Sequence, residues 1–308
     1  MNNHLVEKIN ELKTKKNATI FAHYYTDEKV QEVADFLGDS LSLSIKAKDI
    51  SCDIILFAGV HFMAETAKIL VPEKKVLLPV MDAGCSLADS CSYEGLYALK
   101  KAHPDALVVS YVNTGIDIKS LTDICCTSSN AVKVIKSIPE DREIIFCPDR
   151  NLGNYVKKIT GRNNIILWDG ACKVHEKFSK ENLSKLKQNH PNAKIMIHPE
   201  CREEVVEMGD FVGSTAAMIT FASSTDSEEF IVVTESGILC ELKKQLPSKK
   251  FIPLSSDDGE KCNKCLDMRK ITLENIYDTL LRETPEIVVD ENMRIKAQKA
   301  INNMIAIR

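Results

Sequence analysis

Three segments of this chain repeat one pattern, and that repeat constrains the fold more than any other feature. They read IFAHYY…ADFLGDSLSLSIKA from Ile20, VVSYVNT…TDICCTSSNAVKVI from Val108 and IMIHPEC…GDFVGSTAAMITFA from Ile195. Each opens on a short apolar run that ends in a polar residue: His23, Tyr111 or His198. A second polar residue, Tyr25, Asn113 or Glu200, lies two positions on. Asp35, Asp123 and Asp210 each stand twelve positions after the first polar residue, and a hydroxyl follows five later at Ser40, Ser128 and Thr215. A fixed period of this kind marks one supersecondary unit used repeatedly.

The second half of each unit recurs with looser spacing. DIILF at 53–57, EIIF at 143–146 and EFIVV at 229–233 read as buried strands. Helical stretches follow at 62–70, 152–159 and 238–246, then short strands at 76–80, 164–168 and 251–254. Just beyond stand Cys85, Cys172 and the Cys262/Cys265 pair. Strands alternating with helices predict βαβ units and parallel sheets. The expected fold is α/β: three pseudo-threefold-related repeats of a Rossmann-like βαβ unit, with small parallel sheets around a central cavity. The repeats span 1–86, 87–173 and 174–270, and a helical tail at 271–308 packs on them. Its two helices, 272–282 and 292–307, carry apolar faces at Leu273, Ile276 and Leu280 and at Met293, Ala297, Ile301 and Met304. Ligands of open parallel sheets sit beyond the carboxyl ends of the strands. His23, Tyr111, His198 and the cysteines all fall there.

Composition narrows the function. The 308 residues carry a net charge of −4, which argues against a dedicated nucleic-acid binder. Anionic substrates remain compatible, because helix starts bind anions whatever the net charge. Residues 1–17 form an amphipathic pattern on Leu5, Ile9 and Leu12, unlike a secretion signal, and no apolar run reaches membrane-span length. A cytoplasmic location is expected. Eleven cysteines in such a chain point to metal ligands or redox thiols rather than disulfides. Cys52, Cys126, Cys147 and Cys240 lie in or beside apolar segments and read as core.

One cysteine per repeat suits a three-thiolate metal site. A four-iron cluster on three thiolates leaves one iron open to act as a Lewis acid. A three-cysteine zinc site with a water competes, and Cys262-x2-Cys265 alone also fits a redox pair. Ser40, Ser128 and Ser214–Thr215 precede helical stretches, as N-caps and as anion sites. His23, His198 and Tyr111 can donate hydrogen bonds to carboxylates. Tyr25 and Glu200 are acid–base candidates, and a partly buried Glu200 would have a raised pKa. Pro199 beside it favours the opposite reading of a surface carboxylate. His175, three residues after Cys172, reads as a ligand to substrate or as an exposed residue.

Several of these segments resemble the quinolinate synthase family, the A protein of bacterial NAD biosynthesis. The resemblance rests on HYY at 23–25, GDSLSLS at 38–44, GVHFMAETAKIL at 59–70, DAGCSLADSC at 82–91, VSYVNT at 109–114, DICCTSSNA at 123–131, PDRNLG at 148–153, WDGACKVHE at 168–176, HPEC at 198–201 and GST at 213–215. It covers nearly the whole chain. It implies a pseudo-symmetric three-domain fold and a four-iron, four-sulfur (4Fe-4S) cluster on Cys85, Cys172 and Cys265. It implies condensation of iminoaspartate with dihydroxyacetone phosphate to quinolinate, with release of phosphate and water, and a functional link to L-aspartate oxidase. Positions matching the family's substrate-binding residues are His23, Ser40, Tyr111, Asn113, Ser128, His198, Ser214 and Thr215. Met63 and Met268 match pocket-lining residues. Tyr25 and Glu200 match its acid–base residues, with His175 nearby. The family's last motif reads Cys-Pro-x-Met. Here it is Cys265-Leu266-Asp267-Met268, and Met268 with the following RKIT keeps the frame that selects Cys265. The alternatives from other classes are a zinc-dependent aldolase or hydrolase and a non-catalytic sensor using Cys262 and Cys265.

Overall fold

The strand-then-polar-residue pattern becomes the same succession of elements three times. The structure, a computed structural model, describes residues 2–256 and 263–307. Cys262 lies outside them. The first repeat runs α1 (Asn2–Lys15), β1 (Ala18–His23), α2 (Glu28–Val33), β2 (Phe36–Gly38), α3 (Ser40–Asp49), β3 (Ile54–Ala58), α4 (His61–Leu70) and β4 (Lys75–Leu77). The second runs α5 (Tyr93–Ala102), β5 (Leu107–Tyr111), α6 (Ile116–Leu121), β6 (Ile124–Cys126), α7 (Ala131–Ser137), β7 (Ile144–Cys147), α8 (Arg150–Thr160) and β8 (Ile165–Leu167). The third runs α9 (Lys180–Asn189), β9 (Lys194–Ile197), α10 (Glu203–Val206), β10 (Phe211–Val212), α11 (Thr215–Ser224), β11 (Glu229–Val233), α12 (Ile238–Gln245) and β12 (Lys250–Pro253). Each repeat makes one parallel four-stranded sheet, ordered β2-β1-β3-β4, β6-β5-β7-β8 and β10-β9-β11-β12.

The inner strands are buried along nearly their whole length, as parallel strands covered on both faces should be. The strands β2, β6 and β10 were not expected as strands. At two or three residues they are too short to show a period. The repeated aspartate precedes each of them and does backbone work. Asp35 Oδ2 accepts from Ile20 N at 2.8 Å, Asp123 Oδ2 from Val108 N at 2.8 Å, and Asp210 Oδ2 from Ile195 N at 2.9 Å. In the first two repeats the aspartate's own N–H returns a bond to the carbonyl of that same strand residue. The carboxylate thus extends the ladder where the edge strand is too short to satisfy the central one. A lysine neutralises each: Lys13 at 2.6 Å, Lys100 at 3.5 Å and Lys194 at 2.9 Å.

Three further helices follow: α13 (Leu266–Arg269), α14 (Leu273–Arg282) and α15 (Glu291–Ala306). α14 packs on α1 and β3, while α15 lies across α4, α6 and β6. Ala297, Ile301 and Met304 are buried against Ile69, Leu70 and Cys125. Met293, expected on that face, is exposed instead, one turn short of the contact. Asn130 Nδ2 donates to Met304 O and Ile307 O, satisfying carbonyls at the end of α15. Cys52, Cys126 and Cys147 are core residues, and Cys240 is half-buried.

Asp35→Ala removes a charged acceptor from a strand N–H, and should lower the unfolding free energy by about 1–2 kcal/mol. Asp35→Asn, which keeps an acceptor oxygen, should cost less. Urea denaturation reads both; an unchanged midpoint for the alanine variant would show the carboxylate to be dispensable.

Candidate active site

The hydroxyl five residues after each aspartate lies at or just before a helix start, but the capping falls to neighbouring residues. Asp39 caps α3 by accepting from Ser42 N at 2.9 Å, and Ser214 caps α11 by accepting from Ala217 N at 3.3 Å. In the second repeat Asn130 Oδ1 accepts from Thr127 N at 2.9 Å, closing the turn before α7. Ser40 and Thr215 are therefore the first residues of their helices, and Ser128 lies in the turn ahead of α7. The expectation that Ser40 and Ser128 are themselves caps is corrected. The three starts meet directly. Ser129 Oγ donates to Asp39 Oδ2 at 2.6 Å and lies 2.8 Å from Ser214 Oγ, joining one residue from each repeat.

Above this junction the strand ends line a cavity. His23, Tyr25, Ser40, Met63, Tyr111, Asn113, Ser128, His175, His198, Glu200, Thr215 and Met268 line it, as do Cys85, Cys172 and Cys265. Of the substrate-binding, acid–base and cluster-ligand residues expected from sequence, Ser214 alone among the described residues does not. It is buried behind the wall, occupied by α11 and Ser129.

The first and third repeats build the same local turn. Tyr25 N donates to His23 Nδ1 at 3.2 Å, and Glu200 N donates to His198 Nδ1 at 3.4 Å. An N–H aimed at Nδ1 makes that nitrogen the acceptor and leaves the ring proton on Nε2. Burial lowers the pKa of His23 to about 4 and of His198 to about 3, against the opposing charges of Asp39 and Glu200. Both rings are neutral donors near pH 7.

A chain of polar groups crosses the cavity. Tyr111 Oη donates to Glu200 Oε1 at 2.5 Å. Glu200 Oε2 lies 2.9 Å from His175 Nδ1, within ion-pair distance although the ring is turned off a straight hydrogen bond. His175 Nε2 lies 2.9 Å from Thr234 Oγ1, which in turn lies 2.8 Å from Tyr25 Oη. The His175 ring stacks on His198 with centroids 4.7 Å apart. Glu200 is 3% exposed, which overturns the surface reading that Pro199 suggested. Burial pushes its carboxyl up, but the neighbouring His175 and the Tyr111 hydrogen bond outweigh this and hold it below the usual range. The raised pKa expected for Glu200 is therefore corrected: the residue is a buried carboxylate in its charged form. Burial and that charge together push Tyr25 and Tyr111 well above the ordinary phenol range.

The three cysteines sit in the same cavity in a setting hostile to free thiolates. Burial raises Cys85 to about 12 and Cys265 to about 11, and pushes Cys172 well above the ordinary thiol value. The charges of Cys265 and Glu200 add to the rise at Cys85, and those of Glu200 and Cys85 to the rise at Cys172. Three such sulfurs become stable as thiolates only when a cationic centre binds them. The donor set is soft and comes from all three repeats, so it fits an iron–sulfur cluster. Cys172, His175 and Glu200 also present one sulfur, one nitrogen and one oxygen within 4.8 Å of one another, a second set able to hold a single metal ion.

Three residues of the site escaped the sequence reading: Asp39, Thr234 and Glu235. Thr234 and Glu235 follow EFIVV at the carboxyl end of β11, the place where parallel sheets present ligands-binding groups, and that position was the only available signal. Both are buried.

The neutral histidines set a pH dependence. Their folded pKa values lie below the unfolded value of 6.5, so the unfolded chain binds more protons between about 4 and 6.5, and stability falls as pH falls through that window. His198→Gln should flatten this part of the stability profile, measured by urea denaturation from pH 7 to 4. An unchanged slope would contradict the neutral buried ring.

Comparison with known proteins gives the family. The family model described as quinolinate synthetase A protein matches residues 7–306. The quinolinate synthase of Trichodesmium erythraeum is 50% identical over 301 residues, covering 98% of this chain and 93% of that protein. That of Synechocystis is 50% identical over 302 residues, with 98% and 95% covered, and that of Chloroherpeton thalassium 49% over 302 residues, with 98% and 94% covered. With a family model spanning almost the entire chain and relatives at half identity over their full breadth, the chain belongs to the quinolinate synthase family.

Proposed function

We propose that this protein makes quinolinate for NAD biosynthesis by condensing iminoaspartate with dihydroxyacetone phosphate, and that Cys85, Cys172 and Cys265 hold a 4Fe-4S cluster. The observation that carries this reading is one cavity in which three cysteines face a buried carboxylate relayed to two tyrosines. We further place the enzyme in the cytoplasm, with an oxidase acting on L-aspartate as the source of the imine. Among the described residues, no helix is long and apolar enough to cross a membrane.

The residues divide the work as follows. The starts of α3 and α11, with the Ser40, Ser128 and Thr215 hydroxyls, receive phosphate and carboxylate groups through free helix N–H groups. His23 and His198 donate from Nε2 to carboxylate oxygens. Asn113 Oδ1 is buried without a hydrogen-bond partner and accepts from the nitrogen of the imine or its enamine tautomer. Met63 and Met268 close the walls against water. Holding both reactants in one cavity offsets the entropy of a bimolecular step. Glu200, charged and flanked by His175, takes protons as the enamine forms and the carbon–carbon bond is made. Tyr25, kept protonated, returns protons to oxygen, and Thr234 and His175 link it back to Glu200. When bound, the cluster supplies an open iron as Lewis acid for loss of a hydroxyl as water.

Glu200→Gln should lower quinolinate formation about 10²–10⁴-fold, as expected for loss of a general base. Cys85→Ala should abolish it along with retention of iron and sulfide. Both are read by anaerobic assay with the two substrates after reconstitution. Full turnover by either variant would contradict the assignment. Zinc in place of iron and sulfide in anaerobically purified protein would instead favour the set Cys172, His175 and Glu200 as a single-ion site.

A further inference from the structure

Glu235 is fully buried at the cavity wall, and its hydrogen bonds run to the framework and not to the chain between Tyr25 and Tyr111. Oε1 accepts from Cys265 N at 3.2 Å and from Arg269 Nη2 at 2.9 Å, and Oε2 accepts from Gly237 N at 2.5 Å. Each contact leads to a part of the site. Cys265 immediately precedes the four-residue helix α13, which has no side-chain cap of its own. Arg269, at the other end of α13, places Nη1 3.6 Å from Asp27 Oδ2, and Asp27 caps α2 just after the Tyr25 turn. Gly237 packs against that turn so closely that a Cβ would lie 2.5 Å from Tyr24 O and 2.7 Å from Tyr25 Cα. One carboxylate of the third repeat therefore sits where the cysteine segment and the tyrosine turn of the first repeat meet.

We propose that Glu235 is a positioning residue that holds Cys265 at the cavity wall and keeps it in register with the Tyr25 turn. A helix as short as α13 has little stability of its own. The start of α13 faces Glu235, whose Oε1 accepts the Cys265 N–H. Arg269 balances the buried charge from the helix's far end. A second tether, from Ser236 N to Asn263 O at 3.0 Å, holds the preceding backbone. Loss of Glu235 should thus loosen the cysteine without releasing the segment. In function, the inference rests on the reading that Cys265 is a cluster ligand. The contacts themselves do not.

The test uses the full chain in two arms. In metal-free protein, the alkylation rate of each cysteine with iodoacetamide is followed by peptide mass spectrometry. Glu235→Ala should speed Cys265 about tenfold, the scale of one lost charged hydrogen bond, and leave Cys85 and Cys172 at the wild-type rate. Glu235→Gln, which keeps the shape and one acceptor, should lie between. After anaerobic reconstitution, the same variants should retain less iron and sulfide per chain than wild type, in the same order. Equal rates in all variants would overturn the proposal, as would a joint rise at all three cysteines, which would mark general loosening. Should wild type itself retain no iron, the cluster reading fails, and the alkylation arm still decides whether Glu235 positions Cys265.

Discussion

The Ser129 hydroxyl, bonded to Asp39 and touching Ser214, is the point on which the arrangement turns. Its three participants stand at the same stage of three successive repeats, just before or at a helix start. Parallel sheets of identical order direct their strand ends the same way relative to their helices. Once the helix starts of all three are tied together, the strand ends have only one place to converge. A single cavity with approximate threefold character follows from this, walled by residues of all three repeats. The repeated aspartates act one layer back, replacing missing edge-strand partners so that strands this short stay in register.

Within the cavity the repeats cease to be equivalent, and the chemistry lies in the differences. His23 and His198 share one turn and one tautomer, while Tyr111 at the matching position donates to Glu200. Asn113 and Glu200 share the next position, one presenting an unpaired amide oxygen and the other a charge. That charge is buried and depends on its neighbours. Removing one partner of such a group costs far more than an exposed pair would. It also keeps two tyrosines protonated and discourages free thiolates nearby. The same field that disfavours bare sulfur anions makes a cationic centre on the three cysteines favourable.

Much of this was legible in the sequence because spacing survives where contacts are not visible. The twelve-residue interval to the aspartate and the five-residue interval to the hydroxyl gave three repeats, parallel sheets and a shared cavity. What the aspartates bond was not legible, because the edge strands they precede are too short to show a pattern. The choice between Ser214 and Thr215 needed the helix boundary itself: the cap falls one residue earlier and takes Ser214 out of the cavity. The state of Glu200 was misread because His175 reaches it from a separate segment, and local sequence shows only Pro199. Thr234 and Glu235 stand where the first repeat has Gly59–Val60 and the second has Pro148–Asp149, and because only Asp149 resembles Glu235 these positions carry no threefold pattern. Cys265 was picked from its frame with Met268, and the structure puts both residues on the cavity wall.

The central claim is that one cavity carries both the cluster and the acid–base chain. Its most direct test is an anaerobic turnover experiment. Anaerobically reconstituted protein is mixed with iminoaspartate and dihydroxyacetone phosphate in excess, quenched, and assayed by mass for quinolinate against the amount of cluster present. At least one quinolinate should form per cluster-bearing chain. Protein that retains its iron and sulfide but forms no quinolinate would contradict it.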